Sequence, residues 1–160
     1  MAYEELITED RRKFDNNFRE EFTLNRTGFL KLFFAGQWLD FDSTPRVHLR
    51  INGKADGYIT NNARIGPNDV VAEGPDQTGF YVGRAESHND MIFTIEATLS
   101  YVYAEAGFIC HGISSFGYSG NSLGFHFQGN RIQAEGLKSI SLEPAEGFMR
   151  GHARILFLPA

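Results

Sequence analysis

The chain has 160 residues and a formal net charge of -5, a size that suits one compact domain. The excess of acidic side chains argues against a basic groove that binds nucleic acid. A single cysteine, Cys110, excludes an intrachain disulfide and a zinc site built from cysteines. The first residues lack the apolar run of a secretory signal, and no stretch is as apolar as a membrane span. We therefore expect a soluble protein made in the cytoplasm, with no membrane span.

Charged residues are concentrated at the amino end, where eleven of them lie among the first 22 residues. All 17 glycines and twelve of the 15 phenylalanines follow residue 22. A body rich in Gly and Phe suits short strands joined by tight turns, with aromatic rings between two sheets. A surface with so few charges is covered by neutral polar side chains or is buried against another chain. We divide the chain into an amino-terminal amphipathic helix or arm, 1–22, and a β-sandwich domain, 23–160.

The amino-terminal segment is predicted to be a helix from Thr8 to Phe22, because this stretch contains no Pro or Gly and Thr8 can cap its amino end. Phe14, Phe18 and Phe22 recur every four residues, and Ile7 lies one heptad before Phe14. So short a helix is marginal in water unless its apolar stripe packs on something. Two interpretations are open: the stripe lies across the chain's own β core, or it is an arm that binds a partner subunit.

The first part of the body contains strands and one irregular stretch. Val47, Leu49 and Ile51 alternate with polar residues and precede the turn dipeptide Asn52-Gly53, where the strand is expected to reverse. Residues 61–89 are rich in turn-forming residues and indicate loops. Oxygen ligands within these loops leave a calcium site as a minor alternative, although the spacing of a known calcium loop is missing: Asn68, Asp69, Glu73 and Asp76.

The second part of the body alternates more clearly. Residues 91–99 predict a half-buried strand, and residues 149–157 predict a final strand. Residues 123–127 predict a strand followed by a turn at Gly129-Asn130 and a return through Ile132 and Ala134. Further candidate strands are 28–34, 58–60, 80–82, 108–113 and 138–142. About nine short strands without alternating helices favour an all-β antiparallel β-sandwich of jelly-roll type.

Motifs for catalysis or metal binding are weak. Cys110 and His111 are neighbours, but successive side chains of a strand point to opposite faces, so they cannot form a nucleophile pair. A metal site shared by His48, His126 and His152 has no supporting spacing. No nucleophile elbow or phosphate-binding loop is present, although a pair of distant carboxylates stays open. We expect no catalytic residue, no cofactor and no metal.

Aromatic and small polar residues indicate a ligand-binding loop. Residues 114–122 mix Ser, Gly, Phe, Tyr and Asn, a composition typical of adaptable binding loops, and flat rings stack on sugars or anchor protein contacts. An ordinary hairpin connection is the alternative. The candidate ligand-binding residues are Trp38, Phe116, Tyr118 and Asn121.

The run 91–101, followed by a Gly-rich strand and by residues 124–132, resembles the central strands of tumour-necrosis-factor-like jelly-roll domains. Such domains occur in bacteriophage decoration and fibre proteins. The resemblance covers at most residues 91–158, rests on pattern rather than on an invariant motif, and implies no catalytic residues. It implies a trimer that presents loops outward and anchors by a terminal arm. The irregular stretch 61–90 has no counterpart in it.

From these observations we expect a non-enzymatic virion structural protein, either a capsid or tail decoration or cement subunit or a receptor-binding attachment subunit. Its expected partners are further copies of itself in a homotrimer, virion capsid or tail proteins and a host-surface glycan. Ile7, Phe14, Phe18 and Phe22 would anchor the arm. The alternative is a carbohydrate-binding β-sandwich module.

Overall fold

The computed structural model describes residues 11–86, 90–102, 107–132 and 135–160, with the backbone of the strand Glu5–Leu6. These residues contain strands and no helix, which confirms the predicted all-β class. The strands are β1 (Glu5–Leu6), β2 (Arg12–Phe14), β3 (Phe18–Leu24), β4 (Gly28–Leu39), β5 (Arg46–Ile51), β6 (Tyr58–Ile65), β7 (Val70–Ala72), β8 (Phe80–Arg84), β9 (Asp90–Val102), β10 (Gly107–Tyr118), β11 (Asn121–Arg131), β12 (Leu137–Pro144) and β13 (Phe148–Pro159).

The strands form two antiparallel sheets that pack face to face. The first sheet has nine strands, in the order β1-β13-β4-β9-β10-β11-β6-β7, with β2 also paired to β13. The second sheet has four strands, in the order β3-β12-β5-β8. The inward side chains of both sheets make one hydrophobic core, which is the arrangement of a β-sandwich. The predicted antiparallel sandwich is therefore confirmed.

The strand order also has jelly-roll connectivity. When the short strand β2 and the inserted pairs β6–β7 and β10–β11 are set aside, the eight remaining strands are divided between the sheets in the orders β1-β13-β4-β9 and β3-β12-β5-β8. If these eight strands are numbered 1 to 8 along the chain, the first sheet has the order 1-8-3-6 and the second sheet has the order 2-7-4-5. This is the double Greek key of a jelly roll. The four inserted strands all join the first sheet beyond β9 and widen it.

Period-two alternation places the core. In β9 the predicted apolar residues Met91, Phe93, Ile95 and Leu99 are buried, whereas Ile92 is 64% exposed. The aromatic rings that fill the space between the sheets contact one another at ring-centroid distances of 5 to 6 Å, as in Trp38–Phe41 (5.0 Å), Phe116–Phe125 (5.7 Å) and Tyr58–Phe80 (5.0 Å). The Phe-rich composition of the body is therefore explained by the interior of the sandwich.

The helix predicted from Thr8 to Phe22 is wrong within the described residues, where β2 and β3 are strands. The chain turns between them at Asn17, which has a φ of 57°. Asn17 donates its backbone N–H to the carbonyl of Met149 (2.8 Å), and its side-chain oxygen accepts from the N–H of Met149 (2.9 Å). These bonds fix the turn at which the chain passes from the first sheet to the second sheet. A spacing of four residues suits a strand as well as a helix, because four is a multiple of two.

The predicted partner-binding arm is also corrected. Phe14 and Phe18 are 6% and 1% exposed and belong to the chain's own core, and Phe22 is partly buried against it. Ile7 lies outside the described residues. The interpretation in which the stripe covers the β core is the one that holds. The proposed boundary at residue 22 falls inside β3, so residues 12–14 and 18–22, which form β2 and part of β3, belong to the sandwich.

The hairpin predicted at Gly129-Asn130 is displaced. Both residues lie within β11, which continues to Arg131. The hairpin instead joins β10 to β11 through Ser119 and Gly120, and Gly120 has a φ of 80°. Asn52 and Gly53 form the expected tight turn, with φ values of 54° and 66°. After this turn, however, the chain crosses to the first sheet instead of returning beside β5.

A close approach between β4 and β13 makes Gly36 sensitive to substitution. Gly36 faces Gly151, and a Cβ on Gly36 would overlap the carbonyl oxygen of Arg150 and lie 2.8 Å from the Cα of Gly151. Because backbone atoms cannot rotate away, we expect Gly36→Ala to cost about 3 kcal/mol or more of unfolding free energy. Urea unfolding measures this loss. Gly136→Ala is the control, since nothing lies within 4 Å of a Cβ there. Equal midpoints for the two variants would contradict the prediction.

Candidate functional site

The first sheet has a broad face that points away from the second sheet, which we call the outer face. Exposed large hydrophobic side chains on one face of a sheet mark an interaction surface, because isolated surface hydrophobes are common but groups of them are not. The outer face carries most of the exposed large hydrophobic residues among those described: Phe29, Phe33, Ile59, Ile65, Val70, Ile92, Val102, Ile109 and Ile113.

A line of polar side chains crosses the middle of the outer face. Lys31 of β4 faces Thr98 of β9, which faces His111 of β10. His111 in turn faces Gln128 of β11, and Gln128 faces Asn61 of β6. We call these five side chains the polar row. Since neighbouring strands lie about 4.8 Å apart, its four inter-strand steps span about 19 Å.

A second line of side chains runs beside the polar row. Phe33, Glu96, Ile113 and His126 face one another in turn across β4, β9, β10 and β11. The polar row, together with Glu96, Ile113 and His126 of the second line, lines an open depression of about 630 Å³, which we call the trough. Lys31 donates from Nζ to Oγ1 of Thr98 at 2.7 Å. One lysine and one glutamate therefore set the formal charge of the trough close to zero.

Gly112 shapes the floor of the trough. A Cβ on Gly112 would overlap the carbonyl oxygen of Glu96 and lie 2.6 Å from the ring of Phe127. Because glycine has no Cβ, the Phe127 ring packs directly beneath the backbone of β10. The floor is thus formed by backbone, and the walls are formed by the two lines of side chains.

The predicted ligand-binding loop is corrected in part. Trp38 and Phe116 are both 0% exposed, and their ring centroids lie 6.0 Å apart inside the sandwich. The Trp38 indole N–H donates to the backbone carbonyl of Glu146 at 2.9 Å. Buried rings cannot stack on a sugar. Tyr118 is partly buried and Asn121 is exposed, and the Asn121 amide donates to the Tyr118 hydroxyl across the hairpin at 2.8 Å.

Asp76 lies at the centre of a buried polar cluster next to the second sheet. Its Oδ2 accepts from Arg46 at 2.7 Å and lies 2.9 Å from His48 Nε2, and its Oδ1 accepts from the N–H and the hydroxyl of Thr78. Burial alone would raise the pKa of Asp76, but the hydrogen bonds from His48, Thr78 and Arg46 outweigh it and hold that pKa far below its usual range. Burial lowers the pKa of His48, although Asp76 opposes this shift. The cluster fastens the loop before β8 to β5.

The carboxylates considered for calcium are paired with arginines. Glu73 accepts from Arg64 (3.1 Å), Arg84 (3.0 Å) and the hydroxyl of Tyr81 (2.6 Å), and Asp69 pairs with Arg64 at 3.2 Å. Their charges are therefore already balanced by neighbouring side chains. No group of three or more His, Cys, Asp or Glu side chains among the described residues is arranged to hold a metal ion.

The remaining candidate groups lie apart. Cys110 is buried in the core, and burial raises the pKa of its thiol, whereas the neighbouring His111 points outward. His48 belongs to the Asp76 cluster, while His126 and His152 lie on the outer face in β11 and β13, which are separated by three strands. The structure therefore does not gather the three histidines that were considered for a metal.

Comparison with known proteins gives no match to a family model, to a curated protein or to a solved structure. In the part of the chain that the structure describes, no helix is long and apolar enough to cross a membrane.

The polar row could not be predicted from the sequence, and the reason is physical. Each member is the outward residue of an ordinary alternating strand, and the alignment of five such residues depends on pairing between strands that lie far apart in the chain. The available signal was the strand alternation that places His111 on the face opposite Cys110, and it indicated a single member of the row.

Proposed function

We propose that the chain is a non-enzymatic structural protein of a virion, a decoration, cement or attachment subunit, which acts through protein–protein contacts and assembles as a homotrimer. It would be made in the host cytoplasm and incorporated into the particle. Its contact surface would be the half of the outer face formed by β13, β4 and β9, which we call the contact half. This choice of surface replaces the amino-terminal arm, whose aromatic rings are used inside the sandwich.

Exposed apolar side chains on the contact half carry the proposal. Phe29, Phe33, Ile92 and Val102 are 44%, 37%, 64% and 40% exposed. Phe33 and Ala35 line a second, more apolar depression of about 370 Å³ between β13 and β10. Burying such side chains against another copy removes apolar surface from water at about 25 cal/mol per Å². A lasting subunit contact buries about 2,000 Å² or more in total.

The virion context comes from the resemblance of residues 91–132 to jelly-roll domains of bacteriophage decoration and fibre proteins. Of the strands that carry this resemblance, β9 belongs to the eight jelly-roll strands, whereas β10 and β11 are an inserted pair, so the virion context rests on the sequence pattern. A fold alone does not imply a function, so the context needs a direct test. Proteomic analysis of virions purified from the producing host is expected to find the chain at a fixed ratio to the major capsid or tail protein. Its absence from purified particles would overturn the virion role.

The oligomeric state tests the contact half. We expect native mass spectrometry to give a trimer for the purified chain, and Phe29→Ser/Phe33→Ser to weaken association at least about tenfold, because a buried aromatic anchor contributes about 2 kcal/mol or more. Ile59→Ser/Val70→Ser is the matched control, since it removes two exposed apolar side chains from the far half of the same sheet. A monomeric wild-type chain, or equal weakening in both double variants, would contradict the choice of surface.

A further inference from the structure

We propose that the trough on the outer face is a binding site for a neutral, linear oligosaccharide, held along the polar row. This inference deepens the attachment form of the proposed function, because it names the ligand class and the residues that recognise it. The trough lies mainly on β10, β11 and β6, outside the contact half, and only its end at Lys31, Glu96 and Thr98 reaches β4 and β9. The strands β10, β11 and β6 belong to those inserted into the eight-stranded jelly roll.

The shape of the site favours an extended ligand. Five side chains stand at regular intervals along about 19 Å, with one side chain from each of five adjacent strands. A chain of sugar rings lying across the strands would meet successive members of the row. An extended peptide would bind best at an unpaired strand edge, where backbone hydrogen bonds are available. The trough lies on a face whose backbone groups are already paired within the sheet, so the side chains must recognise the ligand.

The hydrogen-bonding chemistry favours hydroxyl groups. Gln128 and Asn61 each offer both donors and acceptors, and His111 adds two ring nitrogens, whereas Thr98 is 8% exposed and already accepts from Lys31. A sugar hydroxyl is likewise both donor and acceptor, so each can be satisfied by this wall. An anion would require donors alone and would meet the carboxylate of Glu96, and a cation would meet the ammonium group of Lys31. The trough is therefore matched to a neutral polyol.

Aliphatic side chains border the polar row on both sides. Ile113 is 51% exposed in the second line of the trough, and Ile109 is 60% exposed on the other side of His111. Sugar rings have apolar C–H faces next to their hydroxyls, and these faces would pack on the two isoleucines. Ligand sites commonly combine such apolar walls with a few convergent polar groups.

The test is a binding measurement on the full chain. Calorimetry with a panel of neutral linear oligosaccharides, and with carboxylated or sulfated counterparts, is expected to show binding of neutral members. His111→Ala/Gln128→Ala removes two facing members of the row and is expected to weaken binding at least about tenfold, since the ligand loses its hydrogen bonds to both side chains. Ser115→Ala/Ser122→Ala is the control on the same two strands, outside the residues that line the trough.

The possible outcomes separate this inference from the proposed function. No binding of neutral members at millimolar concentration, binding of acidic members alone, or equal affinities in the two double variants would overturn the oligosaccharide site. The trimer is tested separately by Phe29→Ser/Phe33→Ser, and neither of these two residues lines the trough. Chemical-shift mapping by NMR adds a second readout, in which the perturbed amides are expected to lie on β9, β10, β11 and β6.

Discussion

Replacing Phe18 by alanine is expected to destabilise the whole sandwich by about 3 to 5 kcal/mol, because it removes a fully buried aromatic ring and leaves a cavity. Phe18 is 1% exposed, and its ring packs edge-on against Phe14 (5.6 Å) and Phe34 (5.1 Å). A protein arm that only docks on a partner would show no such effect on the isolated chain. The measurement is urea or thermal unfolding of the purified variant.

Phe22→Ala provides the matched control, because Phe22 lies on the same strand but is only partly buried. We expect its loss of stability to be clearly smaller. If Phe18→Ala unfolds at the wild-type midpoint, the placement of β3 in the core is wrong, and the arm interpretation regains support. If both variants lose stability equally, the difference in burial between the two rings is not the cause.

The amino-terminal segment shows the limit of prediction from local sequence patterns, because a predicted helix is a pair of strands in the structure. Its four-residue Phe spacing and the lack of Pro and Gly are compatible with a helix, and isolated propensity gave no reason to prefer a strand. In the structure, β2 pairs with β13 and β3 pairs with β12, and the backbone hydrogen bonds of these pairs favour strands over a helix. Both partners lie more than 100 residues away in the chain. Such pairing is tertiary information that a short window cannot contain.

The body was easier to predict because its strands have one clear apolar face. Residues 91–99 and 149–157 alternate, and the structure buries the face that the alternation indicates. The aromatic ligand site was less predictable, because Trp38 and Phe116 can serve equally well as core residues or as surface platforms. Composition does not distinguish these roles. A ring can contact a ligand only if its strand places it on the solvent side, and predicting that side requires the register of the sheet.

Replacing Asp76 by asparagine is expected to cost about 3 kcal/mol at pH 7, because it removes the charged acceptor of a buried cluster while its partners stay in place. The Asp76 side chain is 6% exposed and His48 is 8% exposed, whereas Arg46 is 44% exposed. The Arg46 pair is therefore partly screened by water, and most of the loss arises at His48 and Thr78. Asp15→Asn is the control, since Asp15 is 77% exposed in its pair with Lys13.

The pH dependence of this effect has a defined sign. The pKa of Asp76 is lower in the folded chain than its ordinary value of 3.8, so its contribution is present above pH 3.8 and is lost as the pH falls below that value. The pKa of His48 is also lowered from 6.5, and without Asp76 it falls further because an opposing carboxylate is gone. The unfolded histidine then binds its proton more readily than the folded one. The stability gap between wild type and Asp76→Asn should therefore widen once the pH falls below the lowered pKa of folded His48, and should begin to narrow as the pH falls below 3.8. A gap that stays constant across urea titrations in this range would show that the charge of Asp76 is not what holds the loop to β5.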